Sequence, residues 1–389
     1  MWKRVLLSFG VIGLAGGAAS LAYAPSVVES QMNKIAPHAS FKTSERAQTL
    51  HRTLNLADLH SDTLLWNRDI LARSDRGHVD VPRLQEGRFA LQVFSAVTKA
   101  PRNLNYDRNP SDSDQITLLV QVQLWPSRTW DSLLERALYQ SEKLHHAAKK
   151  RPKDLMVIRT RKDLEILMAA RARGETMVGG LLATEGAHPL EGKLDNLARL
   201  RQAGYRMIGL QHFFDNEVGG SLHGMSKGGL TAFGRQVVGE IERTNMIVDL
   251  AHSSPAVVDD VLAMATRPMV VSHTGVRGAC DSPRNLSDAQ MRSIAAKGGL
   301  IGIGYWEGAV CDITPKGVAK SIRYAADLVG VDHVALGSDY DGSTTVMFDA
   351  SESVALIDAL IQAGFTDEDI AKIGGGNQIR LLMDLLPPG

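Results

Sequence analysis

The chain of 389 residues has only two cysteines, Cys280 and Cys311. That is too few for a disulfide-built scaffold, and the spacing is wrong for a thiolate zinc knuckle. Whether the two pair with each other is left open by the sequence. An excess of charge of either sign is also missing, since Lys+Arg and Asp+Glu each count 43. No net field therefore draws the chain to nucleic acid or to anionic lipid. Aromatics make up 5% of the residues and are not interleaved with a basic run, so a nucleic-acid partner is excluded as a reading. There is no internal repeat and no low-complexity block. Long apolar runs are absent too, apart from one at the N-terminus.

That run extends from Val5 to about Ala24, after the basic pair Lys3-Arg4, and ends in Ala22-Tyr23-Ala24. A short positive region, an apolar stretch and an A-x-A-like site are the marks of an export signal. Its length of about 20 residues also suits an uncleaved single-span anchor, and Pro25 directly after the site would hinder cleavage. Residues 1–24 are thus expected to be a signal peptide or N-terminal membrane anchor, 25–43 a linker, and 44–389 a single catalytic domain. The expected location is periplasmic or otherwise extracytoplasmic.

What is present in the remainder is alternation. Eight short apolar runs, Asn55–Leu59, Ala90–Ala96, Met177–Ala183, Met207–Leu210, Met246–Leu250, Pro268–Val271, Leu300–Gly304 and His333–Leu336, have the composition of buried parallel strands. Between them lie amphipathic stretches such as Lys162–Arg173, Asn196–Ala203, Phe233–Thr244, Pro255–Met264 and Pro315–Val329. Eight strands alternating with helices predict an α/β fold, a closed (β/α)8 TIM-like barrel. The longest irregular piece, Thr98 to Trp130, follows the second strand and is expected to act as a lid or specificity element, with helix at about Asp114–Leu124.

Barrel enzymes carry their chemistry at the C-terminal ends of strands, where the loops converge on one mouth. Those ends here hold His60-x-Asp62, Glu185, His212, His252, His273 and Asp339. Four of the twelve histidines fall at four different strand ends. Any one of them alone would be an ordinary core or surface histidine, but the set is hard to produce by chance. His60 and Asp62 are two apart, so in extended chain both point one way. Glu185 has two oxygens and can bridge two ions. His252 and His273 end successive strands and stand side by side. The inventory divides into a first zinc held by His60, Asp62 and Glu185, and a second held by His252, His273 and Glu185. An all N/O donor set favours catalytic over structural zinc, with manganese or cobalt left open. A water shared between two such ions becomes hydroxide near neutral pH, ready to attack a carbonyl. Four residues read as substrate handlers. His212 suits a developing oxyanion, Arg284 a carboxylate, Asp339 a proton or an ammonium group, and Tyr305 a place in the pocket wall. Asp341 reads as a partner supporting the site.

The stretches "DLHSDT", "ATEG", "GLQHFFDNEVGG", "VDLAHSS", "VVSHTGVRG", "SPRNLSD", "LGSDYDG" and "IGGGNQIRLL" resemble, in order and spacing, the renal or membrane dipeptidase family of zinc metallopeptidases. The resemblance covers nearly all of the chain after about Leu54. It implies a distorted (β/α)8 barrel with two zincs bridged at Glu185, and the ligand roles given above to His60, Asp62, His252 and His273. It further implies that His212 polarises the scissile carbonyl, Arg284 grips the C-terminal carboxylate, and Asp339 meets the amino group or shuttles the proton. Family members cleave dipeptides, often with a D-residue second, and some open β-lactam rings. A homodimer would match the family. The familiar animal enzymes carry a C-terminal lipid anchor, whereas this sequence closes on "LLPPG", so a membrane tether is expected to be N-terminal. The alternative activity is that of a two-metal barrel hydrolase acting on a lactam, lactone or cyclic amide. Such barrels often bridge their metals with a carboxylated lysine, and no lysine stands at a candidate strand end here.

Overall fold

The computed structural model describes residues 25–389; the expected leader at 1–24 lies outside the described residues. Eleven strands are present among them. Eight form the barrel: β2 (Leu56–Ser61), β3 (Phe89–Val97), β5 (Val178–Glu185), β6 (Tyr205–Gly209), β7 (Ile247–Asp249), β8 (Val270–Thr274), β9 (Leu300–Ile303) and β10 (Val334–Leu336). They pair in parallel in the order β3-β2-β10-β9-β8-β7-β6-β5, and β3 returns to β5 from Leu91↔Gly179 through Val97↔Glu185. That last pairing closes the sheet, so the fold is the (β/α)8 barrel that the alternation predicts.

The barrel is distorted at one seam. β4 (Leu155–Val157), which the apolar runs did not reveal, pairs with β5 at Val178–Gly180, while β6 pairs with β5 only at Leu182–Thr184. One edge of β5 is thus shared end to end by two strands. The five expected helices form with boundaries shifted by a residue at most, as at Arg161–Ala172 and Pro255–Met264. Thr160 caps the first through a capping box, and Ser254 caps the second by accepting from Val257 N, with Pro255 at the first helical position. The long loop after β3 contains a helix at Ile116–Val122, inside the expected stretch, and a short one at Arg128–Asp131.

Every barrel strand residue is buried, and the two faces divide by alternation. Ala57, Leu59, Leu91, Val93, Leu181 and Ala183 belong to a cluster that Leu381, Leu382 and Leu385 of the last helix, Asn377–Leu385, complete. The other set, including Leu56, Phe94, Leu182 and Ile208, packs against the surrounding helices. β8, β9 and β10 approach closely because Gly302 and Gly337 lack side chains. A Cβ on either would stand 2.2 Å or 2.1 Å from Ser272 O.

Residues 25–43 do not behave as a linker. Residues 25–32 are helical, and β1 (Lys34–Ile35) pairs in parallel with β11 (Thr345–Val346) beyond the last barrel strand. The physical reason is a polar anchor that composition hides. Glu29 is 1% exposed and accepts from Arg68 Nε at 2.6 Å and Arg76 Nε at 2.9 Å. No helix of the described residues is long and apolar enough to cross a membrane.

Candidate metal centre

Three of the candidate side chains lie within strands: His60 in β2, Glu185 as the last residue of β5, and His273 in β8. The others follow strands directly. His252, Asp339 and Asp341 have φ of +62°, +60° and +62°, a region few non-glycine residues occupy. Each turns the chain sharply just past its strand, and such strain clusters at functional sites. The outcome is one buried group over the barrel mouth comprising His60, Asp62, Glu185, His212, His252, His273 and Asp339.

Glu185 is its hub. Its Oε1 is 3.1 Å from His252 Nε2, 3.4 Å from His212 Nε2, 3.5 Å from His273 Nε2 and 3.7 Å from His60 Nε2. His60 Nε2 is 3.3 Å from Asp62 Oδ1 and 3.9 Å from Asp339 Oδ1. The donor atoms form three overlapping triads: His60 with Glu185 and His273, Glu185 with His212 and His252, and His60 with Asp62 and Asp339. His252 and His273, paired by strand order, also meet, Nε2 to Nε2 at 2.9 Å.

This donor set fits cations. Burial drives the imidazoles of His252 and His273 well below their usual pKa, so they are neutral. Such a neutral pair can either share one N–H between the facing nitrogens or present both lone pairs to a cation. Burial, reinforced by mutual repulsion, raises the carboxyls of Glu185 and Asp339 well above the usual range, and burial does the same to Asp62. Among the described residues His60 Nε2, Asp62 Oδ1 and Glu185 Oε2 find no hydrogen-bond partner, although buried polar atoms rarely go without one. Divalent cations held among these atoms would satisfy them. Behind them, Ser272 Oγ lies 2.9 Å from His273 Nδ1 and 3.3 Å from His60 Nδ1, aiming both Nε2 atoms at the centre. Asp341 accepts from Thr63 Oγ1 at 2.8 Å and from His78 N at 2.6 Å and pairs with Arg68, steadying the loops that carry Asp62 and Asp339.

A family model for membrane dipeptidase, peptidase family M19, matches residues 44–385. The chain belongs to that family. As an M19 member it is a metal-dependent dipeptidase, a hydrolase. The dipeptidase aclJ of Aspergillus oryzae is 28% identical over 351 residues, covering 85% of this chain and 78% of that protein. The probable dipeptidase PvdM of Pseudomonas aeruginosa shares the fold at a TM-score of 0.72 with 19% identity, over 88% of this chain and 98% of that one. A metallopeptidase of Rhodobacter sphaeroides, solved with a phosphinate mimic of the dipeptide L-Ala-D-Ala, has a TM-score of 0.67 and 24% identity, covering 86% of this chain and 99% of its own.

In this M19 chain the centre forms the floor of a cavity of about 980 Å³, lined among others by Asp62, Glu185, His212, His252, Arg284 and Asp339. Arg284 is 2% exposed. Its Nη2 donates to His273 O at 2.9 Å, and its guanidinium stands 5.4 Å from the Trp306 ring. Tyr305, expected in the wall, is not there. It is buried at 1% exposure against Phe348 and Tyr340. Neighbouring residues leaving a strand point opposite ways, so it is Trp306 that lines the cavity. Trp306 Nε1 donates to Tyr106 Oη at 2.9 Å, bringing the long loop after β3 to the wall. Cys280 and Cys311 are joined in a disulfide, which ties the loop bearing Arg284 to the one after Trp306. Sequence reasoning missed Ser272, Tyr106 and Trp306. Ser272 sits at a register irregularity of β8 between Val271 and Thr274, which simple alternation does not anticipate, and its hydroxyl reaches both imidazoles.

Proposed function

We propose that this enzyme hydrolyses the peptide bond of dipeptides, both L-Xaa-L-Xaa and L-Xaa-D-Xaa, at a centre of two zinc ions bridged by Glu185. The observation that carries the reading is the convergence of four imidazoles on Glu185, with two further carboxylates and one buried arginine beside them. His60, Asp62 and one Glu185 oxygen would hold the first ion, and His252, His273 and the other oxygen the second. The ions would polarise the carbonyl and acidify a shared water so that attack proceeds near neutral pH.

The remaining work falls to side chains of the chain itself. Arg284, with one nitrogen tethered to His273 O, presents a fixed fork to the substrate carboxylate. Asp339, whose carboxyl burial holds above the usual range, takes a proton from the attacking water and returns it to the leaving amine. His212 Nδ1 donates to Lys99 O at 3.1 Å, leaving Nε2 facing the centre. Burial lowers its pKa to about 3, so the resting ring offers a lone pair there. Uptake of a proton from solvent at Nε2 as the substrate carbonyl binds would let it stabilise the developing oxyanion. The L-Ala-D-Ala mimic bound in the Rhodobacter sphaeroides structure supports acceptance of a D-residue in the second position. For location, we propose export, with residues 1–24 as leader or tether. The Cys280–Cys311 disulfide supports this, because such bonds persist in oxidising compartments.

The test measures metal content and dipeptide hydrolysis on one preparation, wild type beside Glu185→Ala. Two zincs per chain in the wild type, with both metal and activity lost in the variant, is the expected result. A wild type that takes up no metal after reconstitution overturns the proposal.

A further inference from the structure

The family match begins at residue 44, yet residues before it help to build the cavity. The helix at 25–32 places Pro25, Val28 and Met32 three and four residues apart, hence on one face, and all three line the cavity that ends at the metal centre. The segment is fastened on both sides of that face. Glu29, between the lining positions, is held by Arg68 and Arg76, and Arg68 in turn pairs with Asp341. Asn33 Oδ1 accepts from Ser343 N at 2.8 Å, and β1 lies along β11. A buried carboxylate held this way is costly to strip of its partners, so the helix is a fixed wall.

Facing it is the helix Ile116–Val122 of the long loop. Met32 packs with Leu65, Trp66, Ile116 and Leu119 in a single apolar cluster. This chamber adjoins Asp62 and Asp339 through their chain neighbours Leu65–Trp66 and Ser343–Thr345. Arg284, by contrast, is walled by Trp306, itself bonded to Tyr106. At about 980 Å³ the cavity stands near the top of the roughly 300–1,000 Å³ range of sites that enclose drug-sized ligands. A small dipeptide held at the floor leaves the apolar chamber empty.

We propose that the segment 25–36 is a specificity wall which makes this enzyme selective for dipeptides whose first residue carries a large apolar side chain or substituent. The inference rests on the dipeptidase reading above, with Arg284 holding the carboxylate, since that orientation turns the first residue toward the chamber.

The test compares kcat/KM for Ala-Ala, Ala-Phe, Phe-Ala and S-octylcysteinyl-alanine, using the zinc-loaded full chain as wild type, Met32→Glu and Met32→Leu. The two substrates with an apolar first residue should exceed Ala-Ala by at least about tenfold in the wild type, in keeping with apolar pocket discrimination. That ratio should fall about tenfold in Met32→Glu and be retained in Met32→Leu. Equal values for all four substrates in the wild type, a preference confined to Ala-Phe, or an unchanged ratio in Met32→Glu would each overturn the proposed wall. Cleavage of Ala-Ala without apolar preference overturns the wall and leaves the dipeptidase reading standing. Failure on every dipeptide removes both.

Discussion

Replacing Arg284 by methionine tests the substrate orientation most directly. The side chain is 2% exposed, no described carboxylate pairs with it, and its Nη2 donates to His273 O. Arg284→Met therefore removes a charge aimed at the substrate and one internal hydrogen bond. Truncating one partner of a buried charge pair costs about 2–5 kcal/mol. Taking ~3 kcal/mol, at about 1.36 kcal/mol per decade of rate, kcat/KM for a dipeptide should fall roughly 150-fold. The lost bond to His273 O adds about 1 kcal/mol, but for every substrate alike. A dipeptide amide lacks the carboxylate and should feel only this second effect. The assay is thus a two-by-two cycle of enzyme and substrate, with coupling read from the four kcat/KM values. Wild type should prefer the acid over the amide by about two orders of magnitude, and the variant should scarcely discriminate. If acid and amide decline in parallel, Arg284 is a structural residue and the proposed orientation is wrong.

Ser272→Ala removes the hydroxyl between His60 and His273 and should weaken metal binding about 10–100-fold, as loss of ligand-orienting groups does; competition with a chelator measures this, and unchanged affinity counts against the role. Replacing His212 by alanine should lower kcat by about 10²–10³ while metal content holds; loss of metal instead would make it a ligand. Because the carboxyls of Asp62, Glu185 and Asp339 are raised by burial, the metal-free fold binds protons that the unfolded chain releases above about pH 4. Its contribution to stability from these groups is present at lower pH and is lost as pH rises through the raised values. Urea melts should therefore show zinc adding more stability at pH 7 than at pH 5, and an increment independent of pH would contradict the charge argument. Reducing the disulfide opens a loop of 31 residues, for which chain entropy gives ~3.7 kcal/mol of lost stability. Since that loop carries Arg284, KM should rise as well; Cys280→Ser with neither change would show the bond to be idle.

Much of the site could be read along the chain because its signals are local. A buried parallel strand announces itself by four to eight apolar residues, and a polar residue closing such a run stands out, as Glu185 and His60 do. The same rule misplaced the strand ends. The run ending at Val271 continues as strand to Thr274, because hydrogen bonding to a neighbour, rather than apolarity, defines a strand, and at the mouth its residues are polar by function. β4, three residues long, was too short to show a pattern and exists only because β5 has an edge left free below β6.

Length, alternation and the order of polar residues at strand ends determined the barrel, the residues gathered over its mouth and the broad chemistry. Those properties depend on each residue's position relative to its own strand. The tertiary structure decided whatever depends on two distant segments meeting. It put Ser272 against His60, 212 positions away, turned Trp306 rather than Tyr305 to the cavity, and joined Cys280 to Cys311. It also folded residues 25–43 against the mouth through Glu29, Arg68 and Asp341. A buried charge gains its stability from partners that only the closed barrel brings together, and nothing in the local sequence of "SVVESQM" could have named them.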